Sequence, residues 1–196
     1  MTLNSYLQKV DKTHLVFDFD ETLVKLILPW DNWADPIKRE LMKLDKSIYE
    51  NYKKEKSSSD LMNQYILKFG KQARDLVKRN AINFEVNFLK DATPNNELID
   101  FVRHSKNYKM FVWSSNTRPT LEKILNKLGI WNKFEKVVTS LDVDLLKPYT
   151  EGFKQIYNPT IPKEKYLIIG DSDRDEKAAN QSGIDFFLVD YFKTAK

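Results

Sequence analysis

Cysteine is absent from this sequence of 196 residues, and its absence removes two kinds of chemistry. The chain can form no disulfide bond and no thiolate metal site, and such a sequence suits a reducing compartment. Long apolar runs are also missing, because none approaches the roughly 20 residues that a membrane-spanning helix needs. Residues 1–12 lack the apolar core of a signal peptide. We therefore expect a soluble, cytoplasmic protein with no membrane partner.

A concentrated basic stripe is missing as well. The net charge is +4, and the excess lies in residues 25–91, which hold 14 Lys and Arg against 10 Asp and Glu. This excess fits a solvated helical surface, or a modest positive field for an anionic substrate. Because no basic stripe is interleaved with aromatic side chains, the sequence does not favour nucleic acid as a partner. We expect a monomer rather than an oligomer.

The composition and its order along the chain favour a folded α/β protein. Hydrophobic residues make up 41% and aromatic residues 13%, which is enough for a packed core. From Asp91 onward, short apolar runs alternate with segments of helical spacing, as in 108–113 followed by 119–128. This alternation predicts a Rossmann-like parallel sheet with helices on both faces. Residues 1–24 and 92–196 are expected to form this core domain.

Residues 25–91 follow a different pattern and are predicted to form an inserted helical domain. Apolar residues recur there at helical spacing, with few strand signals. Asp35-Pro36 is expected to open one helix, and Gly70 to end or interrupt another. Thr93-Pro94 is expected to start the first helix after the insert. Trp30, Trp33 and Tyr65 are candidate pocket residues, or else core residues of the insert itself.

Two aspartates end the first apolar run of the chain. Asp18 and Asp20 follow His14-Leu15-Val16-Phe17, which reads as a buried strand. Side chains two residues apart on a strand share a face, so both carboxylates can point into one crevice. Two negative charges so close together repel each other, and proteins usually compensate by binding a hard divalent metal ion to the carboxylate oxygens. The pair therefore predicts a metal site at the carboxyl edge of the sheet.

Two further groups of polar residues that could bind a ligand follow later in the chain. Ser114 or Ser115, together with Asn116, comes just past a predicted strand. A hydroxyl and backbone N–H groups there are suited to phosphate oxygens, with help from the N-terminus of the next helix. Lys147, ahead of Pro148, could neutralise a phosphate or an aspartate. These residues are candidates for binding a substrate phosphate.

A fourth group of candidate residues is acidic, like the first pair, Asp18 and Asp20. Gly170-Asp171 ends a strand-like run, and Asp175 follows four residues after Asp171. Glycine permits a close approach of the backbone. Both aspartates could serve a cation, Asp171 directly and Asp175 by positioning Lys147 or a metal-bound water.

Taken together, these four groups of residues resemble the four motifs of the haloacid dehalogenase (HAD) superfamily. Asp18-Phe19-Asp20-Glu21-Thr22 is similar to the first motif, DxDxT, and Gly170-Asp171 with Asp175 is similar to the fourth, GDxxxD. The serine pair resembles the second motif and Lys147 the third. The motifs stand in the family's order over nearly the whole chain apart from the insert. That insert is similar to the helical cap of the C1-type phosphatases.

The resemblance implies a phosphatase mechanism. Asp18 would attack phosphorus and become an aspartyl phosphate, and Asp20 would act as general acid and then as general base. Thr22 would hold the loop in shape. Because the dehalogenases lack an acid at the position of Asp20, that residue favours phosphate chemistry over carbon–halogen cleavage.

The resemblance also implies a Mg²⁺ cofactor and a phosphate site. The metal would be held by the Asp18 carboxylate, the Asp20 main-chain carbonyl and Asp171, with Asp175 as a further acidic residue of the metal site. Ser114, or else Ser115, and Lys147 would neutralise the phosphoryl oxygens. The expected partner is a small phosphorylated substrate.

Glu21 departs from the family's commonest pattern, in which metabolite phosphatases carry glycine. A DxDET form occurs in the branch that dephosphorylates the polymerase tail, but that branch lacks such an insert and ends its fourth motif differently. The sequence therefore favours a Mg²⁺-dependent phosphatase of a small metabolite. A sugar phosphomutase, a phosphatase acting on protein or nucleic-acid ends, and a non-catalytic binding protein on this fold are the alternatives.

Overall fold

The computed structural model describes residues 1–51 and 58–193, with the side chains of 31–35 outside the description. Within this part of the chain the strands are β1 (His14–Phe17), β2 (Val24–Ile27), β3 (Asp91–Pro94), β4 (Lys109–Trp113), β5 (Lys136–Val138), β6 (Tyr166–Gly170) and β7 (Asp185–Leu188). The α-helices are α1 (Leu3–Leu7), α2 (Trp30–Leu44), α3 (Lys46–Asn51), α4 (Ser58–Phe69), α5 (Lys71–Phe88), α6 (Asn96–His104), α7 (Arg118–Lys127), α8 (Glu151–Ile156) and α9 (Asp173–Ser182). No helix of the described residues is long and apolar enough to cross a bilayer.

A parallel sheet forms the centre of the fold, with strand order β5-β4-β1-β6-β7. Alternate residues of each strand face opposite sides, so Leu15 and Phe17 of β1 pack in one apolar cluster and Val16 packs in the other. Residues of α1, α6 and α7 cover the first face, and residues of α8 and α9 cover the second. The predicted α/β fold, a parallel sheet with helices on both faces, is confirmed.

A second, two-stranded sheet stands where the helical insert leaves and rejoins the core. β2 and β3 are antiparallel, with Val24 opposite Pro94 and Ile27 opposite Asp91. The prediction that a helix starts at Thr93-Pro94 was therefore wrong. The Asn95 side chain accepts the Leu98 N–H at 3.3 Å, so the helix begins one residue after this cap.

Helices α2 to α5 make up the rest of the insert in the described chain. The helix expected to open at Asp35-Pro36 begins at Trp30 instead, and Pro36 lies inside it. Ile37 and Leu41 of that helix are 1% exposed, so tertiary packing compensates for the hydrogen bond that the proline removes. Gly70 separates α4 from α5, as predicted.

Of the three aromatic pocket candidates, the structure assigns two. Tyr65 is fully buried, and its hydroxyl donates to the Asp45 carbonyl at 2.6 Å, so it belongs to the interior of the insert. Trp30 lines a cavity between the insert and the sheet. The side chain of Trp33 lies outside the described residues.

Candidate active site

The carboxyl ends of three neighbouring strands meet at one edge of the sheet. Asp18 follows β1, Ser114 and Ser115 follow β4, and Asp171 follows β6. Because β1 lies between β4 and β6, these ends are adjacent in space. Lys147 comes from the segment between β5 and α8. A cavity of about 430 Å³ opens at this edge, and its walls include Asp18, Asp20, Ser115, Asn116, Lys147, Asp171 and Asp175.

Lys147 lies at the centre of this site. Its ammonium donates to Asp18 Oδ1 at 2.7 Å and to Asp175 Oδ1 at 2.6 Å. The Lys147 side chain is only 4% exposed, and its ammonium lies 5.1 Å from the ring centroid of Trp113, over the ring face. Burial favours the neutral amine, but the two carboxylates outweigh it and raise the pKa of Lys147. The lysine is therefore a fixed positive charge between the carboxylates of Asp18 and Asp175.

Asp18 and Asp20 have different surroundings although they are two residues apart. Burial raises the pKa of Asp18 to about 7, opposed by the Lys147 ammonium and helped by Asp175. The Thr22 hydroxyl donates to Asp18 Oδ2 at 3.3 Å. Burial also raises the pKa of Asp20 to about 7, and the Leu26 N–H donates to Asp20 Oδ1 at 2.8 Å. Asp18 is thus tied to the lysine, whereas Asp20 is held by the backbone of β2.

Three carboxylates come close enough to share a cation. One oxygen each of Asp18, Asp171 and Asp175 lie within 4.8 Å of one another. Burial, and then the charge of Asp175, raise the pKa of Asp171, while the Lys193 ammonium, 3.2 Å from Asp171 Oδ2, acts in the opposite direction. This all-oxygen donor set fits Mg²⁺. The Asp20 carboxylate is not part of this cluster.

Asp175 differs from the other two because protein donors already occupy both of its oxygens. Lys147 holds Oδ1, and the Ser172 backbone N–H and hydroxyl hold Oδ2. Burial alone would raise the pKa of Asp175, but the Lys147 ammonium keeps it below its usual range. A Cβ at Gly170 would lie 2.6 Å from the Asp175 Cβ and Cγ. The glycine is therefore needed for Asp175 to reach the lysine.

The two serines after β4 have different environments. Ser114 is 2% exposed; its hydroxyl donates to Asn116 Oδ1 at 3.1 Å and accepts the Asn116 N–H at 3.0 Å. Ser115 instead lies on the cavity wall, and Asn116 does so as well. The sequence left this choice open with Ser114 placed first. The geometry favours Ser115 as the hydroxyl available to a ligand.

The N-terminus of α7 is not open to a phosphate, contrary to the expectation from the sequence. Glu85 of α5 is 4% exposed, and its Oε2 accepts the Thr117 N–H at 2.9 Å and the Thr117 hydroxyl at 2.6 Å. Its other oxygen accepts Asn116 Nδ2 at 3.3 Å. Burial raises the pKa of Glu85 despite these hydrogen bonds. A side chain of the insert therefore fills the anion position of this helix.

Other residues of the insert reach the sheet edge without belonging to any recognisable motif. The Asn63 side chain exchanges two hydrogen bonds of 2.9 Å with the backbone of Leu146, the neighbour of Lys147. Lys78 donates to the Leu141 carbonyl at 2.9 Å. Ser59 accepts a hydrogen bond of 2.9 Å from Arg174, which lies beside Asp175 in the chain. Helical periodicity marks Asn63 and Lys78 only as polar positions, so sequence reasoning missed them.

Glu21 adopts a backbone conformation that explains why glycine is common at this position. Its φ is +60°, in the left-handed region that costs an L-residue roughly 1–2 kcal/mol. The carboxylate lies 3.1 Å from Lys25 on a partly exposed surface, and the residue also lines the cavity. The turn after Asp20 thus keeps its shape without glycine.

The acidic cluster and the buried lysine lie at the carboxyl edge of a parallel sheet, which is where open α/β proteins bind their ligands. The sequence profile of haloacid dehalogenase-like hydrolases matches residues 15–189. The chain therefore belongs to this family. No curated protein sequence matches it at a significant level.

Solved structures of similar fold cover nearly the whole chain. A haloacid dehalogenase-like hydrolase from Bacteroides fragilis is 17% identical with a TM-score of 0.64, over 92% of this chain and 88% of that one. A predicted phosphoglycolate phosphatase from Haemophilus somnus is 17% identical with a TM-score of 0.59, over 93% and 87%. The HAD-hydrolase YfnB from Bacillus subtilis, solved with magnesium, is 16% identical with a TM-score of 0.55, over 94% and 89%. At these identities the likeness extends to the fold alone.

Proposed function

We propose that this protein is a Mg²⁺-dependent phosphatase that hydrolyses a small phosphorylated metabolite through an aspartyl phosphate on Asp18. The observation that carries the proposal is the Asp18–Lys147–Asp175 arrangement at the sheet edge, with Asp171 close enough to share a cation. A carboxylate is a competent nucleophile in phosphoryl transfer. The hydrolase family to which the chain belongs is consistent with this activity, and a predicted phosphoglycolate phosphatase shares its fold.

In the first step, an Asp18 oxygen attacks phosphorus as the bond to the leaving oxygen breaks. Lys147 stabilises the negative charge on the phosphoryl oxygens, and Ser115 and Asn116 on the cavity wall donate hydrogen bonds to them. Thr22 orients the Asp18 carboxylate through its hydroxyl. Asp175 keeps Lys147 in place between the two carboxylates.

Asp20 moves the proton in both steps. Burial keeps the pKa of Asp20 near 7, so a protonated carboxyl is available at neutral pH to protonate the leaving oxygen. In the second step the resulting carboxylate takes a proton from water, which attacks the aspartyl phosphate and regenerates Asp18. The hydrogen bond from the Leu26 N–H fixes the orientation of Asp20 for both transfers.

The carboxylates of Asp18 and Asp171, with the main-chain carbonyl of Asp20, would hold the metal ion, and Asp175 would support this set. When bound there, Mg²⁺ would supply positive charge that neutralises the phosphoryl oxygens and keeps Asp18 ionised. Residues 25–91 would act as the cap, which covers the sheet edge, excludes water and selects the leaving group.

The test is hydrolysis of p-nitrophenyl phosphate and a panel of phosphorylated metabolites. We expect turnover with Mg²⁺, loss of turnover in EDTA, and a loss of about 10⁴-fold or more in kcat for Asp18→Asn. Asp173→Asn is the matched control, because this aspartate lies in the same acidic loop but is 69% exposed and paired with Lys177. Full activity in EDTA or in Asp18→Asn contradicts the proposal.

Analysis of the products separates the phosphatase from a phosphomutase on the same scaffold. A phosphatase releases one inorganic phosphate for each substrate consumed. If the protein instead converts a sugar phosphate into its positional isomer and releases little free phosphate, it is a phosphomutase and not a phosphatase. Binding of the panel without turnover by the unaltered protein would contradict both activities.

A further inference from the structure

The cavity is larger than the chemistry of one phosphoryl group requires. Its volume of about 430 Å³ lies within the range of sites that hold whole small molecules, roughly 300–1,000 Å³. Apolar side chains of the insert, among them Met62, Ile66 and Val77, form part of the wall opposite the acidic sheet edge. The space between these two walls is available to the leaving group of a substrate.

Four cationic side chains line this cavity, and they differ in how they are neutralised. Lys147 lies between two carboxylates of the site, and Arg74 contacts the Asp144 carboxylate at 2.5 Å. Among the described residues, Lys78 and Arg174 have no carboxylate oxygen within 4.0 Å. Neither of these two positive charges is therefore held in a direct ion pair with a described carboxylate.

Lys78 and Arg174 occupy different parts of the site. Arg174 immediately precedes Asp175 in the loop that carries the acidic cluster, and its guanidinium is anchored on the Ser59 hydroxyl. Lys78 is in the middle of α5, on the insert, and its ammonium donates to the Leu141 carbonyl at 2.9 Å. The Arg174 guanidinium therefore lies against α4 of the insert, whereas the Lys78 ammonium extends from α5 to the segment that follows β5.

The environment of Lys78 favours a bound anion. Burial lowers the pKa of Lys78 below its usual range, and the nearby charge of Arg74 acts in the same direction, while the charges of Asp144, Asp142 and Asp75 act in the opposite one. The carbonyl of Leu141 accepts only one of the three N–H groups of the ammonium. A partly buried ammonium with N–H groups to spare is stabilised by a negatively charged ligand.

We propose that Lys78 forms a subsite for a second anionic group, a carboxylate or a phosphate, on the leaving group of the substrate. This inference rests on the proposed phosphatase function. A substrate with two anionic ends contacts the sheet through Lys147 and the insert through Lys78, so it spans both parts of the cavity. A substrate with a neutral leaving group contacts only the first.

The experiment compares phosphate esters that share a carbon chain and differ only at the far end. Propyl phosphate, 3-phosphooxypropionate and 1,3-propanediol bisphosphate present a methyl, a carboxylate and a phosphate, and matched two- and four-carbon sets vary the reach. We expect kcat/KM with Mg²⁺ to be at least about tenfold higher for one anionic member than for its neutral counterpart, as one charge-assisted hydrogen bond supports. The preferred member identifies the anion.

Lys78→Met is expected to remove this preference, so that kcat/KM for the anionic ester falls to the value for its neutral counterpart, and Lys78→Arg to restore part of it. Lys71→Met is the matched control, because Lys71 lies on the same helix with its side chain 78% exposed. If the unaltered protein shows no preference, or if Lys78→Met lowers activity on all esters equally, the subsite is wrong although the phosphatase assignment stands.

A binding measurement separates this inference from the phosphatase proposal. Asp18→Asn with Mg²⁺ is titrated calorimetrically with propyl phosphate and with its two anionic counterparts. Tighter binding of an anionic ester, lost in Asp18→Asn/Lys78→Met, supports the subsite even if the unaltered protein turns over no ester. Equal binding of charged and neutral esters overturns it.

Discussion

The sheet and the helical insert contribute to the same cavity in different ways. From the sheet, Asp18, Ser115 and Asp171 each follow the last residues of a strand, so the register of adjacent strands sets their positions. From the insert, Lys78 and Glu85 come from the interior of one helix, and packing alone decides where they point. This difference suggests that residues at the sheet edge determine the reaction, whereas residues of the insert determine which substrate is bound.

Polar contacts hold the insert against the sheet, and we call this set of contacts the joint. Asn63, Lys78 and Glu85 all reach backbone or hydroxyl groups of the sheet edge. Water can replace such hydrogen bonds at a small net cost, whereas exposure of an apolar core carries a larger one. The following predictions test this division between a fixed sheet and an adjustable insert, beginning with the largest expected effect.

Gly170→Ala tests the sheet side at the closest approach of its backbone to a site residue. The added methyl would overlap Asp175, which must move and release Lys147. We expect kcat to fall about 10²-fold or more and stability to fall by about 1–3 kcal/mol. Gly70→Ala is the control on the insert: its φ of +54° strains an alanine and should lower stability, but nothing lies within 4 Å of the new Cβ, so kcat should not change. An equal loss of activity in both variants, measured by turnover and thermal unfolding, would contradict this difference.

Glu85→Ala tests whether the insert positions the turn that carries Ser115. Loss of the carboxylate leaves the buried Thr117 N–H without its acceptor, at a cost of about 1–3 kcal/mol. We expect kcat/KM to fall about tenfold, because one to two kcal/mol of transition-state binding corresponds to that factor. Asn87→Ala, an exposed position of the same helix, should change neither quantity. Unchanged activity together with reduced stability would limit Glu85 to a structural role.

The pH dependence of stability gives an independent test of Glu85. Its pKa is raised on folding, so the folded state holds the proton more tightly than the unfolded chain does. The contribution of this group to stability is therefore greatest below the ordinary glutamate pKa of about 4.3 and declines as pH rises through the folded value. Urea unfolding from pH 4 to 7 should show the wild-type protein losing stability relative to Glu85→Gln. A constant difference across this range would contradict the assignment.

Asn63→Ala tests the joint beside Lys147. The substitution leaves the N–H and the carbonyl of Leu146 without their partners, and we expect a loss of about 1–3 kcal/mol in stability. KM should rise several-fold while kcat changes little, because the insert is displaced but the sheet is not. Gln64→Ala, on the exposed side of the same helix, is the matched control. A fall in kcat with constant KM would mean that Asn63 acts on the chemistry itself.

Glu21 offers the smallest effect and separates backbone strain from charge. Glu21→Gly relieves the positive φ and should stabilise the protein by up to about 1 kcal/mol. Burial is the main reason why the pKa of Asp20 is raised, and the Glu21 charge adds to it. Removing that charge should move the high-pH limb of kcat/KM to lower pH, since Asp20 acts in its protonated form. Glu21→Gln should shift the limb without the gain in stability.

The sequence predicted the α/β fold correctly, because the alternation of strands and helices is visible in local patterns. A strand of apolar residues that ends on a polar one, as at Phe17 and Asp18, is visible without any knowledge of the partner strands. The short strands β2 and β3 were missed because each has four residues and is defined by its pairing with the other. Pro36 was assigned to a helix start, although that helix begins at Trp30 and the proline lies inside it.

The candidate site could be predicted only as a set of residue types. The metal and catalytic roles of Asp18, Asp20 and Asp171 stay predictions, although Asp18, Asp171 and Asp175 do lie together. The choice between Ser114 and Ser115 depended on which hydroxyl turns toward the cavity, and adjacent residues of a chain give no local sign of this. Glu85 was missed because a glutamate on an amphipathic helix normally reads as a solvated residue.

What the sequence alone determined was the succession of strands in the parallel sheet and the acidic and hydroxyl groups at the ends of three of them, since neighbouring residues are enough to define both. The tertiary structure decided which helix of the insert approaches the sheet and which of its polar side chains enter the cavity. Those positions depend on packing between segments distant in the chain, where many small contacts compete and no single residue type sets the outcome.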